Sequence, residues 1–254
     1  MGTVKGKAVI LTGGAGEIAR EVAAQFLAGG AQVLLVDVNE AALQQAVALL
    51  GGSSVAYCVA DVTSEDDTVA YVRKALEMFG RLDVLVANAG VEGLVAPVSE
   101  YDTDAFRRLL DINVVGVFLG IKHVFPALAA QGGGSIVITS SVAGVSGSPG
   151  LSAYNASKHA VIGLMRSTAK EGGPLNIRVN TVNPSPIEGR MIESLERGSM
   201  PDEPAAMRQA LIQSIPMGRY GVPADVANLI LFLASDESKF LNGGLYMVDG
   251  GMTA

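Results

Sequence analysis

This 254-residue sequence predicts an α/β architecture, a doubly wound, mainly parallel, seven-stranded sheet with helices on both faces. Three observations carry that expectation. Short runs of apolar, β-branched residues alternate with longer helical patterns, as a parallel sheet buried on both faces requires. A glycine-rich turn joins the first apolar run to the first helical pattern. No linker breaks the chain, so residues 1–254 read as one domain.

The elements follow in order. Lys7–Leu11 reads as a buried strand, and Thr12-Gly13-Gly14-Ala15-Gly16-Glu17-Ile18-Ala19 turns into a helix whose apolar face includes Val22, Phe26 and Leu27. Further strands are expected at Gln32–Val36, Ser54–Val59 and Leu82–Val86. Long periodic stretches at Asp102–Ala130 and Ser152–Gly172 predict the two largest helices. Between them Ser135–Thr139 reads as a strand running into a Gly/Ser/Pro-rich loop. Strands at Ile177–Val182 and Leu245–Val248 complete the sheet. With 49% hydrophobic residues, 31 glycines and no Trp, the core must be built mainly from small aliphatic side chains.

Two segments carry chemistry. A strand, a glycine-rich turn and a helix start make an anion site, because free N–H groups and the positive helix end point at the same place. The second strand ends in Asp37, about twenty residues after the glycines, where a dinucleotide site places an acid on the adenosine ribose hydroxyls. The alternative reading of Asp37 is a helix N-cap before Asn39. The other segment is Tyr154-Asn155-Ala156-Ser157-Lys158, with Ser141 thirteen positions upstream of Tyr154 at the end of a strand. Tyr and Lys four apart share a helix face, and such a pair alone is usually a solvated Tyr packed on a lysine stem. Ser141 across the loop changes that reading. A phenol is a poor base at neutral pH unless a cation lowers its pKa, and Lys158 is one helical turn away. A serine hydroxyl, a phenol and an ammonium together suit proton transfer at an alcohol oxygen while a hydride moves on the carbon.

These residues, together with Asp61-Val62, Asn88-Ala89-Gly90, Asp111-Ile112-Asn113-Val114, Arg178-Val179-Asn180, Asn183-Pro184 and Val248-Asp249-Gly250-Gly251, resemble the short-chain dehydrogenase/reductase family over essentially the whole chain. The resemblance implies a Rossmann-type fold. It implies that Tyr154 is the general acid/base, that Lys158 lowers its pKa and binds the nicotinamide ribose, and that Ser141 holds the substrate oxygen. Asn113 would hold a water in the proton relay behind Lys158. Cofactor contacts would come from Gly13, Gly16, Glu17, Ile18, Asp37, Asp61, Val62, Asn88, Ala89, Gly90, Tyr154, Lys158, Pro184 and Ile187. Substrate contacts would come from Ser141, Tyr154, Ser185 and Met191, with residues 188–218 as a lid. The family also implies a homotetramer assembled through the two long helices and the C-terminal strand region.

Four positions depart from the family pattern. Glu17 and Ala19 stand where the second and third glycines of the turn belong, Pro184-Ser185 replaces Pro-Gly, and Gly189 replaces a threonine near the carboxamide. Glu17 carries opposed effects. A carboxylate near a helix N-terminus gains about 0.3–1 kcal/mol, whereas a negative charge about 6 Å from a phosphate costs on the order of 2–3 kcal/mol at an effective dielectric of about 20. Repulsion of the cofactor wins unless the side chain turns away.

Asp37 implies NAD as the cofactor, because a 2′-phosphate would meet its carboxylate and neither Gly16 nor Val38 supplies a cation. The formal net charge of −7 leaves no basic face for nucleic acid. The apolar run at Ala8–Leu11 is too short for a secretory signal, and Met1-Gly2-Thr3-Val4-Lys5-Gly6 lacks the hydroxyl of a myristoylation motif, so the expected place is the cytoplasm and no membrane partner is expected. The single cysteine, Cys58, excludes an internal disulfide and reads as a small core residue. His123 and His159 read as structural or interfacial, and no metal site is expected.

The substrate is the least determined part. Met191, Ile192, Leu195, Met200 and Met207 read either as an adaptable apolar lid or as the buried stripe of a surface helix. The loop Val142–Leu151 carries no charged side chain. Glu92 reads as a solvated loop charge, or, pointing inward, as a selector of hydroxyl-rich or amine-bearing substrates. The expectation is an NAD-dependent oxidoreductase interconverting an apolar, cyclic or aryl secondary alcohol and its ketone. The alternatives are a 3-oxoacyl-thioester reductase, a non-catalytic dinucleotide-binding protein, and an isomerase or dehydratase of sugar nucleotides.

Overall fold

The computed structural model describes residues 3–254, so the Met1-Gly2 start of the N-terminal segment lies outside the described residues. Seven parallel strands form one sheet in the order β3-β2-β1-β4-β5-β6-β7: β1 (Ala8–Thr12), β2 (Gln32–Asp37), β3 (Val55–Val59), β4 (Val84–Ala87), β5 (Gly134–Thr139), β6 (Ile177–Pro184) and β7 (Leu245–Val248). The expected strands are all present, with ends shifted by a residue or two. Strand order reverses between β1 and β4, which opens a crevice at the carboxyl ends of the strands.

Burial on both faces follows from strand alternation. Val9, Leu11, Val33 and Leu35 pack with α1 (Glu17–Ala28), α2 (Glu40–Leu50) and α9 (Pro223–Ala234), while Ile10, Leu34, Val36 and Leu85 face α3 (Glu65–Phe79), α5 (Gly116–Ala130) and α6 (Ser152–Gly172). Local chemistry starts these helices. Asn39 caps α2 by accepting from Ala42 N–H, Ser64 caps α3 through Asp67 N–H, and Asp102 caps α4 (Thr103–Leu110) through Ala105 N–H. Asn39 rather than Asp37 is therefore the cap. Cys58 meets its expectation only in part: on the edge strand β3 it packs against the second core but is half-buried.

The stretch expected as one helix from Asp102 is interrupted. Between α4 and α5, Asp111–Val115 forms a π-helical turn in which Gly116 N–H reaches back to Asp111 O. Such turns cluster at functional sites. The whole segment Thr103–Ala130 is long and apolar enough to cross a membrane, but its apolar residues Val117, Ile121, Val124 and Leu128 are buried in the second core.

Residues 188–218 contain α7 (Arg190–Ser199) and α8 (Pro204–Gln213), which share a small core of Ile192, Ile215 and Tyr220 with Leu195, Leu211, Ile212 and Met252. Ile192 and Leu195 thus form the buried stripe of α7, and Met200 is exposed. A helix this well seated has few ways to be repacked without loss.

Gly116 is the tightest joint between the π turn and the loop after β3: a Cβ there would lie 2.8 Å from Val62 Cγ2. Gly116→Ala should therefore destabilise the fold by about 1–3 kcal/mol through overpacking, read as a lower urea midpoint at unchanged slope.

Candidate active site

Every expected site segment comes to the carboxyl edge of the sheet. Thr12, ending β1, accepts through Oγ1 from Asn88 N–H and Ala89 N–H, each at 3.1 Å, and Asn88 Oδ1 accepts from Thr139 Oγ1 at 3.2 Å. The ends of β1, β4 and β5 are stitched together by one threonine, one asparagine and a second threonine. Gly13 makes the approach feasible, since its φ is 65° and a Cβ would lie 2.9 Å from Ala89 Cα.

The first turn of α1 begins at Glu17 after Gly16 and has no side-chain cap. Its free N–H groups could hold an anion beside the crevice. Asp37 lies on the same side, with Oδ2 accepting from Ala15 N–H of the glycine turn at 3.2 Å and Oδ1 from Asn39 N–H at 3.1 Å. Asp61 folds onto its own loop, accepting from Thr63 N–H and Oγ1, and Val62 is buried against Gly116. Glu17 does not lie over the turn. Its carboxylate crosses to the start of α7, where Oε1 accepts from Arg190 N–H at 3.3 Å.

At the other end of the crevice, Ser141 Oγ donates to Pro184 O at 3.3 Å and accepts from Ala143 N–H at 3.1 Å. Ser185 is buried and its N–H bonds Val248 O. Ile187 bridges to Gly221, and Met191 is half-buried on α7. Lys158 Nζ lies 5.5 Å from the Tyr154 ring centre and donates to Thr139 O at 2.9 Å. Asn113, in the π turn, uses its carboxamide fully: Oδ1 accepts from Val91 N–H at 2.8 Å, and Nδ2 donates to Val91 O at 2.9 Å and Ser157 Oγ at 3.1 Å. The side chain thereby fixes the loop after β4. Gly90 sits between it and the lysine, a Cβ there being 3.2 Å from Asn113 Oδ1 and 3.6 Å from Lys158 Nζ.

Burial sets the protonation states here. It pushes the Tyr154 phenol up to about 12, with Ser141 hydrogen bonding opposing the rise and the Glu92 charge adding to it. It pushes the Lys158 ammonium down to about 8. The expected lowering of the phenol by Lys158 is not found in the free protein: burial dominates, and the ammonium donates to Thr139 O and lies over the ring.

Glu92 overturns its expectation as a solvated charge. It is only 8% exposed and meets Arg190 end-on, Nη1 donating to Oε1 at 2.8 Å and Nη2 to Oε2 at 3.2 Å. Burial pushes its carboxyl up, but hydrogen bonds from Arg190 and Ser194 outweigh that and hold it below the usual carboxylate value. Arg190 is the residue that sequence reasoning missed. It lies 98 positions from Glu92 and 173 from Glu17, so no local pattern joins them.

The lysine has a signature in stability. Its folded pKa of about 8 lies below the ordinary 10.5, so between those values the unfolded chain holds the extra proton and stability rises with pH. Wild type should gain on Lys158→Met across that window by on the order of 3 kcal/mol, measured as unfolding free energy at stepped pH.

The family model described as enoyl-(acyl carrier protein) reductase matches residues 13–253. The chain is 36% identical over 252 residues to levodione reductase of Leifsonia aquatica, covering 98% of this chain and 94% of that one. It is 39% identical over 253 residues to the 3-oxoacyl-[acyl-carrier-protein] reductase FabG of Thermotoga maritima, covering 98% of each. The solved structure of NAD+-bound xylitol dehydrogenase is similar with a TM-score of 0.93 at 35% identity, over 97% of this chain and 99% of that one. With the strand order, the crevice and these matches in place, the chain belongs to the short-chain dehydrogenase/reductase family.

Proposed function

We propose that this protein, an NAD-dependent oxidoreductase acting on CH–OH groups, interconverts an apolar, cyclic or aryl-substituted secondary alcohol and its ketone. The observation that carries the reading is the meeting of Ser141, Tyr154 and Lys158 beside an uncapped helix start and the Asp37 carboxylate. In the oxidation direction, Ser141 holds the alcohol oxygen and Tyr154 takes its proton, with Lys158 favouring the phenolate. NAD, when bound, supplies the hydride acceptor. Gly13, Gly16, Glu17 and Ile18 would line its pyrophosphate, Asp37 the adenosine ribose, Asp61 and Val62 the adenine, and Asn88, Ala89, Gly90, Pro184 and Ile187 the nicotinamide half. Asn113 supports Lys158 from behind.

An apolar substrate is supported by the loop Val142–Leu151, which has no charged side chain, and by the neutralisation of Glu92 in its pair with Arg190. Similarity to levodione reductase favours the same class. Ser185 and Met191 would complete the pocket. The similarity to FabG keeps a 3-oxoacyl thioester as the second reading, against which stand the acidic surface and Asp37. We further infer a cytoplasmic homotetramer joined through α4–α5 and α6, supported by the exposed Val115 and Phe118 on the long helix.

The test is a panel of cyclohexanol- and phenylethanol-type alcohols, sugars, amino alcohols and 3-hydroxyacyl thioesters, followed by reduced-nicotinamide absorbance, with Tyr154→Phe as the inactive control. Apolar alcohols should lead in kcat/KM by at least about tenfold, and NAD should exceed NADP by more than about tenfold, since a hydrogen bond to a charged group contributes about 1.5–3 kcal/mol. A lead for the polar or thioester sets would overturn the substrate assignment. Light scattering at micromolar concentration should give the mass of a tetramer.

A further inference from the structure

Arg190 stands at the one point where α7 is tied to both walls of the crevice. Its guanidinium pairs with the buried Glu92 of the loop after β4, and its backbone N–H donates to Glu17 at the start of α1. Gly189 provides the room for the second tie, because its φ is 146° and a Cβ there would lie 3.2 Å from Glu17 Cδ. A further close approach lies at the end of α7, where Gly198 packs bare against Val95, whose Cγ2 is 2.8 Å from a would-be Cβ. Glu92 follows two residues after Gly90, whose Cα rests between Asn113 and Lys158, and the intervening Val91 is held in both directions by Asn113. The buried carboxylate is thereby fixed beside the catalytic set.

The charged and titratable groups around this point are few. Lys158 faces Tyr154 from α6, Glu92 from the loop after β4, and Arg190 and Glu17 meet across the mouth. The Tyr101 hydroxyl accepts from Leu94 N–H, Ser141 and Ser194 are neutral, and the acids flanking Arg190 are engaged elsewhere, Glu188 with Arg208 and Glu193 with Arg197. Among the described residues, Arg190 is the only cation within salt-bridge distance of Glu92. An unpaired negative charge there opposes formation of a phenolate, and a paired one does so much less.

We propose that Arg190 is a positioning residue for catalysis, one that pairs the buried Glu92 carboxylate beside the catalytic set and so offsets part of the charge that opposes ionisation of Tyr154. The proposal rests on the reading of Tyr154 as the acid/base.

The test compares the pH dependence of kcat/KM for NAD-linked alcohol oxidation in wild type, Arg190→Met, Glu92→Gln and the double variant. Arg190→Met should move the acidic limb upward by about one pH unit, the order of shift that an unpaired charge beside a buried titrating group produces. The double variant should bring the limb back to within a few tenths of a unit of wild type, although the helix tie is still missing. An unmoved limb in Arg190→Met, or a double variant that stays shifted, overturns the proposal. The same ionisation is read without turnover from the phenolate absorbance of the NAD complex, as wild type minus Tyr154→Phe and Arg190→Met minus Arg190→Met/Tyr154→Phe. A shift there in a protein that oxidises no panel alcohol would sink the substrate assignment and leave this proposal standing; no shift there overturns it independently of any substrate.

Discussion

The site depends on three parallel strands ending level. Thr12, Asn88 and Thr139 tie the carboxyl ends of β1, β4 and β5 by side-chain hydrogen bonds, and this fixes the cofactor half of the crevice against the catalytic half. Strands rise about 3.3 Å per residue and alternate faces. A slip of one residue at any of these ends would move a site segment by that distance and turn its side chains to the other layer. Gly13 and Gly14 matter for the same reason, since a Cβ at either would strike the backbone or side chain of a neighbouring strand end.

Charged and polar groups at the site are held by protein groups in place of water. Lys158 is satisfied by a backbone carbonyl, Glu92 by a guanidinium and a serine, and Asn113 by both polar groups of Val91. Each of these arrangements costs desolvation and is tolerable only because its partners are fixed by the fold. The π-helical turn at Asp111–Val115 belongs to the same design, for it carries Asn113 into the gap behind Gly90 that a regular helix through Asp102–Ala130 would address with a different residue.

Two departures from the family pattern turn out to be one contact. Glu17 replaces a glycine of the turn and Gly189 replaces a threonine, and in the fold the carboxylate of the first occupies the space vacated by the second. A carboxylate in the turn repels a bound phosphate only where its charge faces the anion site. Its actual direction is toward the N–H of Arg190, so the same charge serves the dipole of α7.

The sequence by itself determined the strand and helix alternation, the glycine turn, Asp37 and the Ser141/Tyr154/Lys158 set, because these are encoded in local periodicity or in fixed spacings within one segment. It also determined the acidic surface and the aliphatic core. Tertiary structure alone decided which apolar residues of α7 face inward: Ile192 and Leu195 pack on Ile215 and Tyr220, partners that periodicity cannot identify. Only the fold decided that Cys58 sits on an edge strand, that the long helix contains a π turn, and that Glu92 is buried. The last of these depended on Arg190, a partner 98 residues away. The ionisation of a buried group depends on the charges that chain folding brings to it, and local sequence carries no record of those distances.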